Sequence, residues 1–376
     1  MYTSLVEEFT LNGHKVVVLA PGVEKTGINI EKGIQVLRVK TLPIKNVPNY
    51  LKGVSNLLLP LQFERALKKY YSNEIFDLII SPTPPITLVD LSVRLKKKFK
   101  STIYLILRDI FPQNAVDLGF INKRGILYRY FRQKEVKLYN NADFIGCMSQ
   151  GNIEYILKHN PKVKPEKLHE LPNFQKPYYT SEIPLMDIKV KYGIQEKFVV
   201  VFGGNMGKPQ QLENVLELAK SCMVFPDVIF LLLGEGVKIN KIVQIAENEK
   251  IRNIRIHRTI SKYEYQDLLK ECHIGLISLH KDFTIPNIPS KALDYFNVGI
   301  PVLASIDRAT DFGQILEQEE AGLWSFAGDH DSFFKNFTAL YHNKIMREKM
   351  SKNGKRYFES FLTPQIAYQT IINIIN

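Results

Sequence analysis

The 376-residue chain has three cysteines, one tryptophan and no apolar run near the roughly eighteen residues that a membrane-spanning helix needs. Cys147, Cys222 and Cys272 are far apart and form no CxxC pair, which excludes a zinc ribbon or a disulfide framework and suits a reducing compartment. No cluster of His, Asp and Glu has metal-ligand spacing, so no metal site is expected, and His14, His169 and His257 are read as structural or exposed. Short internal repeats and low-complexity tracts are missing. The first residues read as an amphipathic helix, not as a secretory leader. Acidic residues are scarce in the first half: residues 1–175 carry 26 Lys and Arg against 15 Asp and Glu, whereas residues 176–376 carry 24 against 23. Such a one-sided positive field calls for an anionic partner: nucleic acid, an anionic membrane surface or a phosphorylated substrate.

What is present is an alternation of short apolar runs with longer helical patterns, the signature of parallel α/β sheets. The strand candidates of the first half are residues 15–20, 34–39, 76–81, 101–107 and 143–149. Those of the second half are 197–202, 228–233, 254–258, 273–279 and 301–305. Several are apolar almost throughout, as strands covered on both faces should be. Helices are expected at 211–224, 238–249 and 261–271. The stretch ELPNFQKPYYTSEIP (170–184) lacks periodicity and reads as the boundary between two doubly wound domains. Two such domains facing across a cleft would place a binding site between the carboxyl ends of two sheets.

Three segments of the second half carry chemistry. In VVVFGGNMGKPQQLENVLELAK (199–220), a strand runs through Gly203, Gly204, Asn205 and Gly207 to Lys208 and a helix. Glycines allow close backbone approach, and a helix start with a lysine suits an anion. The spacing is neither that of a P-loop nor G-x-G-x-x-G. An ordinary tight turn would read the same. LLLGEGVK (231–238) ends a second strand in Gly234, Glu235 and Gly236. In IPSKALDYFNVGIPVLAS (288–305), Pro289 and Ser290 suggest a helix start with Ser290 as N-cap, and Gly299 ends it. Lys291 and Asp294 are surface neighbours on that helix, either a simple ion pair or a diphosphate cation beside a carboxylate for a ribose diol.

In this order the three segments resemble the donor half of retaining GT-B glycosyltransferases of family 4, above all bacterial enzymes that transfer N-acetylated amino sugars in capsule or O-antigen assembly. RDIFPQNAVDLG (108–119) and ADFIGCMSQGNIEYI (142–156) extend the resemblance through the first half. It implies an α/β GT-B fold of two Rossmann-like domains, residues 1–175 for the acceptor and 176–361 for a nucleotide sugar, with a helix at about 362–376 packing back on the first. The fold's usual opening strand and glycine-rich loop are not seen in the sequence. The implied donor is a UDP-sugar, held by Gly203, Gly204, Asn205, Lys208, Gly234, Glu235, Gly236, Ser290, Lys291 and Asp294. Asp294 stands where the family has a ribose-binding glutamate. Where an earlier glutamate is usual the chain has Pro286, so Asn287 and Ile288 would shape the sugar pocket. The implied reaction needs no cofactor or metal and retains anomeric configuration.

Asp109, just past the strand at 101–107, is the candidate base for the acceptor hydroxyl, with an N-cap or a partner for Arg108 as its plainer roles. The basic stretches 94–100 and 122–137 mix Arg129, Arg132, Lys134 and Lys137 with Leu127, Tyr128, Tyr130 and Phe131. This suits adsorption to an anionic membrane surface, as does a solvated helix with an ordinary core face. The acceptor implied by the resemblance is a polyprenyl-diphosphate-linked saccharide, met by a cytoplasmic enzyme peripheral at the inner face of the membrane. No nucleic-acid motif is present. A GT-B UDP-sugar epimerase and a non-catalytic sugar-nucleotide-binding subunit are the rival readings.

Overall fold

The structure, a computed structural model, describes residues 1–43, 48–178 and 188–376. The part of the expected boundary stretch at 179–184 lies outside these. The described chain divides into two compact units, residues 1–172 with 364–376, and residues 173–363.

The first unit opens on α1 (Tyr2–Leu11), followed by β1 (Val17–Gly22), β2 (Gly27–Glu31), β3 (Ile34–Lys40) and α2 (Asn49–Tyr70). It continues with β4 (Leu78–Pro82), α3 (Val89–Phe99), β5 (Thr102–Ile106), α4 (Gln113–Asp117), α5 (Ile126–Asn141), β6 (Phe144–Cys147), α6 (Gln150–His159) and β7 (Leu168–Glu170). Its strands form two sheets, β1-β3-β2 and β4-β5-β6-β7, parallel except for the β2–β3 hairpin. The periodicity had suggested no strand at β2, whose central residues are exposed. β1 and β4 each end a sheet among the described residues. They are therefore mostly half-buried, although VVLA and LIIS are as apolar as fully covered strands. The helix Pro364–Ile375 belongs to this unit: Tyr368 packs edge-on against Phe9 of α1 at 4.9 Å and its hydroxyl meets His14 Nε2 at 2.9 Å.

The second unit holds α7 (Ile188–Tyr192), β8 (Phe198–Gly203), α8 (Glu213–Ser221), β9 (Val228–Leu233), α9 (Ile239–Asn248), β10 (Ile254–His257), α10 (Lys262–Lys270) and β11 (Ile274–Ser278). After these come α11 (Ala292–Val298), β12 (Val302–Ile306), α12 (Phe312–Gln318), β13 (Gly322–Phe326), α13 (His330–His342) and α14 (Lys344–Phe361). Its sheet is wholly parallel, in the order β10-β9-β8-β11-β12-β13. Every residue of β8, β9, β11 and β12 is buried, as the unbroken apolar runs required. The strand order reverses between β8 and β11. That makes the carboxyl ends of these two strands a topological switch point, where open α/β sheets bind their ligands.

Candidate functional site

β8 and β11 pair only near their starts, Ile274 with Val200 and Gly275 with Val201. Beyond that point they part, and Tyr295 of α11 fills the wedge. Its hydroxyl accepts from the Gly203 N–H at 3.3 Å and lies 3.1 Å from the Leu276 carbonyl. Gly275 is what lets the ring through, because a Cβ there would overlap Tyr295. Nothing in the spacing of the sequence singled out Tyr295, whose signal is only a tyrosine on a core-facing stripe.

The two glycine turns sit side by side at the ends of β8 and β9. Gly204 donates to Leu233 O at 2.9 Å, and Met206 donates to Glu235 O at 2.8 Å. A Cβ on Gly234 would fall inside the Gly204 carbonyl, one on Gly236 would overlap Met206, and one on Gly203 would meet the Tyr265 hydroxyl. Most of these glycines therefore serve the packing of turn on turn. Gly204 is the exception: it is exposed, has φ +130°, and a Cβ there would meet only Lys291 Cε, at 3.5 Å. Exposed Asn205 and Glu235 flank the same opening. Gly234→Ala should destabilise the second unit by about 3 kcal/mol or more, since it adds both a backbone clash and a strained φ of +150°. Thermal melting of the purified variant measures this.

Two expectations about helix ends are corrected. No helix opens at Lys208. Residues 208–210 form one 3₁₀ turn, Gln211 is left-handed, and α8 begins at Glu213. The α8 terminus already carries that carboxylate, which accepts from Lys238 at 3.4 Å and Lys241 at 3.1 Å. Nor does Ser290 cap α11. The chain is already helical at Lys291 (φ −67°, ψ −21°), which is the N-cap, whereas a capping serine needs extended backbone. Ser290 is exposed, and Ala292, Leu293 and Asp294 donate their N–H groups to the carbonyls of Pro289, Ser290 and Lys291. The first turn of α11 thus offers no spare N–H to an anion, and positive charge there must come from the Lys291 side chain.

Lys291 and Asp294 do not form the ion pair that their spacing allows. The Lys291 ammonium lies over the Phe202 ring, 4.5 Å from its centroid, and has no ion-pair partner among the described residues. Desolvation lowers its pKa to about 8. Asp294 turns the other way. Its Oδ1 accepts from Gln175 Nε2 at 3.0 Å and from the Tyr178 hydroxyl, and burial raises its pKa despite these donors. Gln175 and Tyr178 lie far away in sequence and had given no signal. The 286–288 segment is tethered rather than loose: Pro286 is buried, Thr310 Oγ1 donates to Asn287 O at 2.7 Å, and Asn173 Nδ2 reaches Ile288 O at 3.4 Å.

In the first unit, Asp109 follows β5 at its carboxyl end. Arg108 does not pair with it: the guanidinium turns inward to Leu171 O at 2.7 Å and Pro172 O at 3.2 Å. The cap of α4 is Pro112. Both plainer roles for Asp109 are therefore removed. Its carboxylate accepts no hydrogen bond among the described residues, and desolvation raises its pKa.

Part of the basic stretches is spent inside the unit. Lys134 and Lys137 bind Asp90, Arg132 binds Glu135 at 2.6 Å, Lys96 binds Asp143 at 2.5 Å, and Arg94 binds Glu64 at 2.8 Å. Tyr128, Tyr130 and Phe131 are half-buried, with Phe131 edge-on to Phe111 at 4.9 Å. The expected band of exposed aromatics among free cations along α5 is thus not formed by these residues.

Residues 186–357 match the family model described as Glycosyl transferases group 1. A Pseudomonas aeruginosa protein described as probable glycosyltransferase WbjE is 25% identical over 253 residues, covering 65% of this chain and 61% of that one. The chain therefore aligns with about three fifths of that relative's length. Among solved structures, WaaG, described as a glycosyltransferase involved in lipopolysaccharide biosynthesis, has a TM-score of 0.70 at 13% identity, over 98% of this chain and 94% of its own. Anabaena Alr3699/HepE in complex with UDP has a TM-score of 0.70 at 13% identity, over 96% and 99%. The likeness to these structures fixes the fold as GT-B, two Rossmann-like units with parallel sheets.

Proposed function

We propose that the chain is a glycosyltransferase of surface-polysaccharide assembly that takes a sugar from a UDP-sugar, an N-acetylated amino sugar by the resemblance, and passes it to a polyprenyl-diphosphate-linked saccharide. The observation that carries the reading is the Lys291 ammonium: desolvated, in no ion pair among the described residues, and set against the open Gly204 at the switch point of the second unit. A cation so placed is a site for a diphosphate. The printed titles of the relatives point the same way.

In this reading the bond from the anomeric carbon to the donor's β-phosphate oxygen breaks and its electron pair leaves with UDP. Lys291 meets the growing negative charge without reorganising. The acceptor oxygen forms the new bond to the anomeric carbon and gives its proton to Asp109. Asp294 receives the ribose diol on the oxygen not taken up by Gln175 and Tyr178. Glu235 and Asn205 face the donor beside Gly204, and Asn287 and Ile288 shape the sugar pocket. Lys208 lies further from this centre in the reading, since no helix end supports it. Retention of configuration and independence of metal belong to the reading through the resemblance.

The experiment is a screen of UDP-sugars with lipid-linked acceptors, read by mass spectrometry. The expected result is one donor giving a glycosylated lipid and free UDP, unchanged by EDTA. A chain that UDP does not stabilise against heat, and that releases no UDP from any donor, is not this enzyme.

A further inference from the structure

We infer that Gln175 and Tyr178 are positioning residues for ribose recognition: they hold one oxygen of Asp294 and so present the other to the diol of a nucleoside diphosphate. The inference deepens the UDP-sugar reading and rests on it.

The last torsion of an aspartate has broad minima, so the side chain alone does not aim its carboxylate. In Asp294 the direction is set from outside. Gln175 Nε2 donates to Oδ1 at 3.0 Å, and the Tyr178 hydroxyl donates to the same atom. Oδ2 accepts no hydrogen bond among the described residues. A carboxylate that only braced the fold would divide its donors between both oxygens, or take the ammonium of Lys291 three residues back on the same helix. Asp294 does neither, since that ammonium lies over Phe202. Two donors on one oxygen leave the lone pairs of the other pointing in a fixed direction, which is what a vicinal diol needs. Aspartate is also short, so a misaimed carboxylate has little reach with which to recover.

The two donors are themselves held. The Tyr178 N–H donates to Asn297 Oδ1 at 2.9 Å, and Asn297 Nδ2 donates to Lys176 O at 2.9 Å. One buried amide thus grips residues 176–178 at two points. Asn297 follows Asp294 by three residues, so α11 carries the carboxylate and the clamp for its donors on one side. The Gln175 N–H is tied to Leu362 O at 3.0 Å. The Tyr178 ring packs on the buried cluster that includes Leu268, Leu269 and Tyr295. Burial and the nearby Asp294 push the Tyr178 pKa well above the usual phenol value, so its hydroxyl keeps its proton and stays a donor. Both donors oppose the rise that burial gives the Asp294 pKa, and so favour the ionised acceptor.

The test is calorimetric titration of the full chain at pH 7 with UDP and with 2′,3′-dideoxy-UDP, which lacks both ribose hydroxyls. The parent should prefer UDP by roughly tenfold or more, the usual worth of hydrogen bonds to a charged acceptor. Tyr178→Phe and Gln175→Leu should each cut that preference by about threefold, and the double variant should nearly lose it. Affinity for dideoxy-UDP should stay at the parent value in all three. Tyr178→Phe keeps the ring and Gln175 is half-buried, so the variants should fold, and dideoxy-UDP binding reports an intact site. A purely structural role would weaken both nucleotides alike. That result, or a double variant that keeps the parent's preference, overturns the inference. Asp294→Asn separates this from failure of the reading beneath it, and should abolish the preference. A preference that survives Asp294→Asn puts the ribose elsewhere, and a parent that binds neither nucleotide removes the nucleotide site. Either outcome ends the reading and the inference together.

Discussion

Asn in place of Asp109 should cut sugar transfer by about 10²- to 10⁴-fold, the usual weight of a positioned base, and leave the UDP-dependent rise in melting temperature intact. The two effects separate because every residue assigned to UDP lies in the second unit, whereas Asp109 lies in the first. A structural role would show differently. The carboxylate has no cation and no donor among the described residues, and burial holds its pKa above the ordinary carboxylate value. A carboxyl whose pKa is raised on folding weakens the fold at every pH above its folded pKa, and that cost disappears below the unfolded pKa. Asp109→Asn should therefore leave the melting temperature at pH 7 unchanged or higher. The rate should carry the same signature. The base works only when ionised, so kcat/KM should rise with pH through a limb set above the ordinary aspartate range, and the Asn variant should lose that limb. A fall in stability with little change in rate would make Asp109 a structural group.

The ten strands expected from apolar runs all form, and β8, β9, β11 and β12, buried throughout, leave the unbroken apolar signature of a parallel strand covered on both faces. β2, β7 and β13 left none. β2 is an exposed hairpin arm, β7 is three residues long, and β13 has only two buried positions, so none shows the run or the alternation that marks a strand. Within the candidate site, the glycine turns and Lys291 were legible, since glycine and lysine beside a strand end have few other uses. What the glycines do was not. Only the fold reveals that Gly203, Gly234 and Gly236 accommodate neighbouring turns and a tyrosine, while a side chain at Gly204 would meet only Lys291. Gln175 and Tyr178 give no sign for another reason: their contacts with Asp294, more than a hundred positions away, leave no local pattern, and Tyr295 reads only as one more core-facing tyrosine. The basic stretch of α5 is legible only as charge, because counting cannot tell a lysine bound to Asp90 from one facing solvent.

The second large effect concerns Lys291, and its two halves have opposite signs. Lys291→Met should abolish the thermal shift given by UDP, a loss of at least tenfold in affinity, yet the protein without UDP should melt higher than the parent. The reason is the site's unbalanced charge. Burial lowers the Lys291 pKa to about 8, against about 10.4 in an unfolded chain. A depressed lysine costs the fold most while both states are protonated, below about pH 8. Between about 8 and 10.4 the unfolded chain holds more protons, so stability climbs with pH and the cost fades. After allowance for partial exposure and for the Phe202 contact, the cost is about 2 kcal/mol at neutral pH. Methionine fills a similar volume without the charge and recovers it. A diphosphate reverses the balance, since it supplies the missing anion and favours the charged amine. UDP should therefore bind the parent best below pH 8 and more weakly as pH rises through 8, whereas the Met variant shows no such dependence. Calorimetric titration of UDP at pH 6.5, 7.5 and 9 measures this directly. Parent affinity that does not change over that range, or a Met variant that binds UDP as well as the parent, would remove Lys291 from the diphosphate site and leave its desolvation without a purpose.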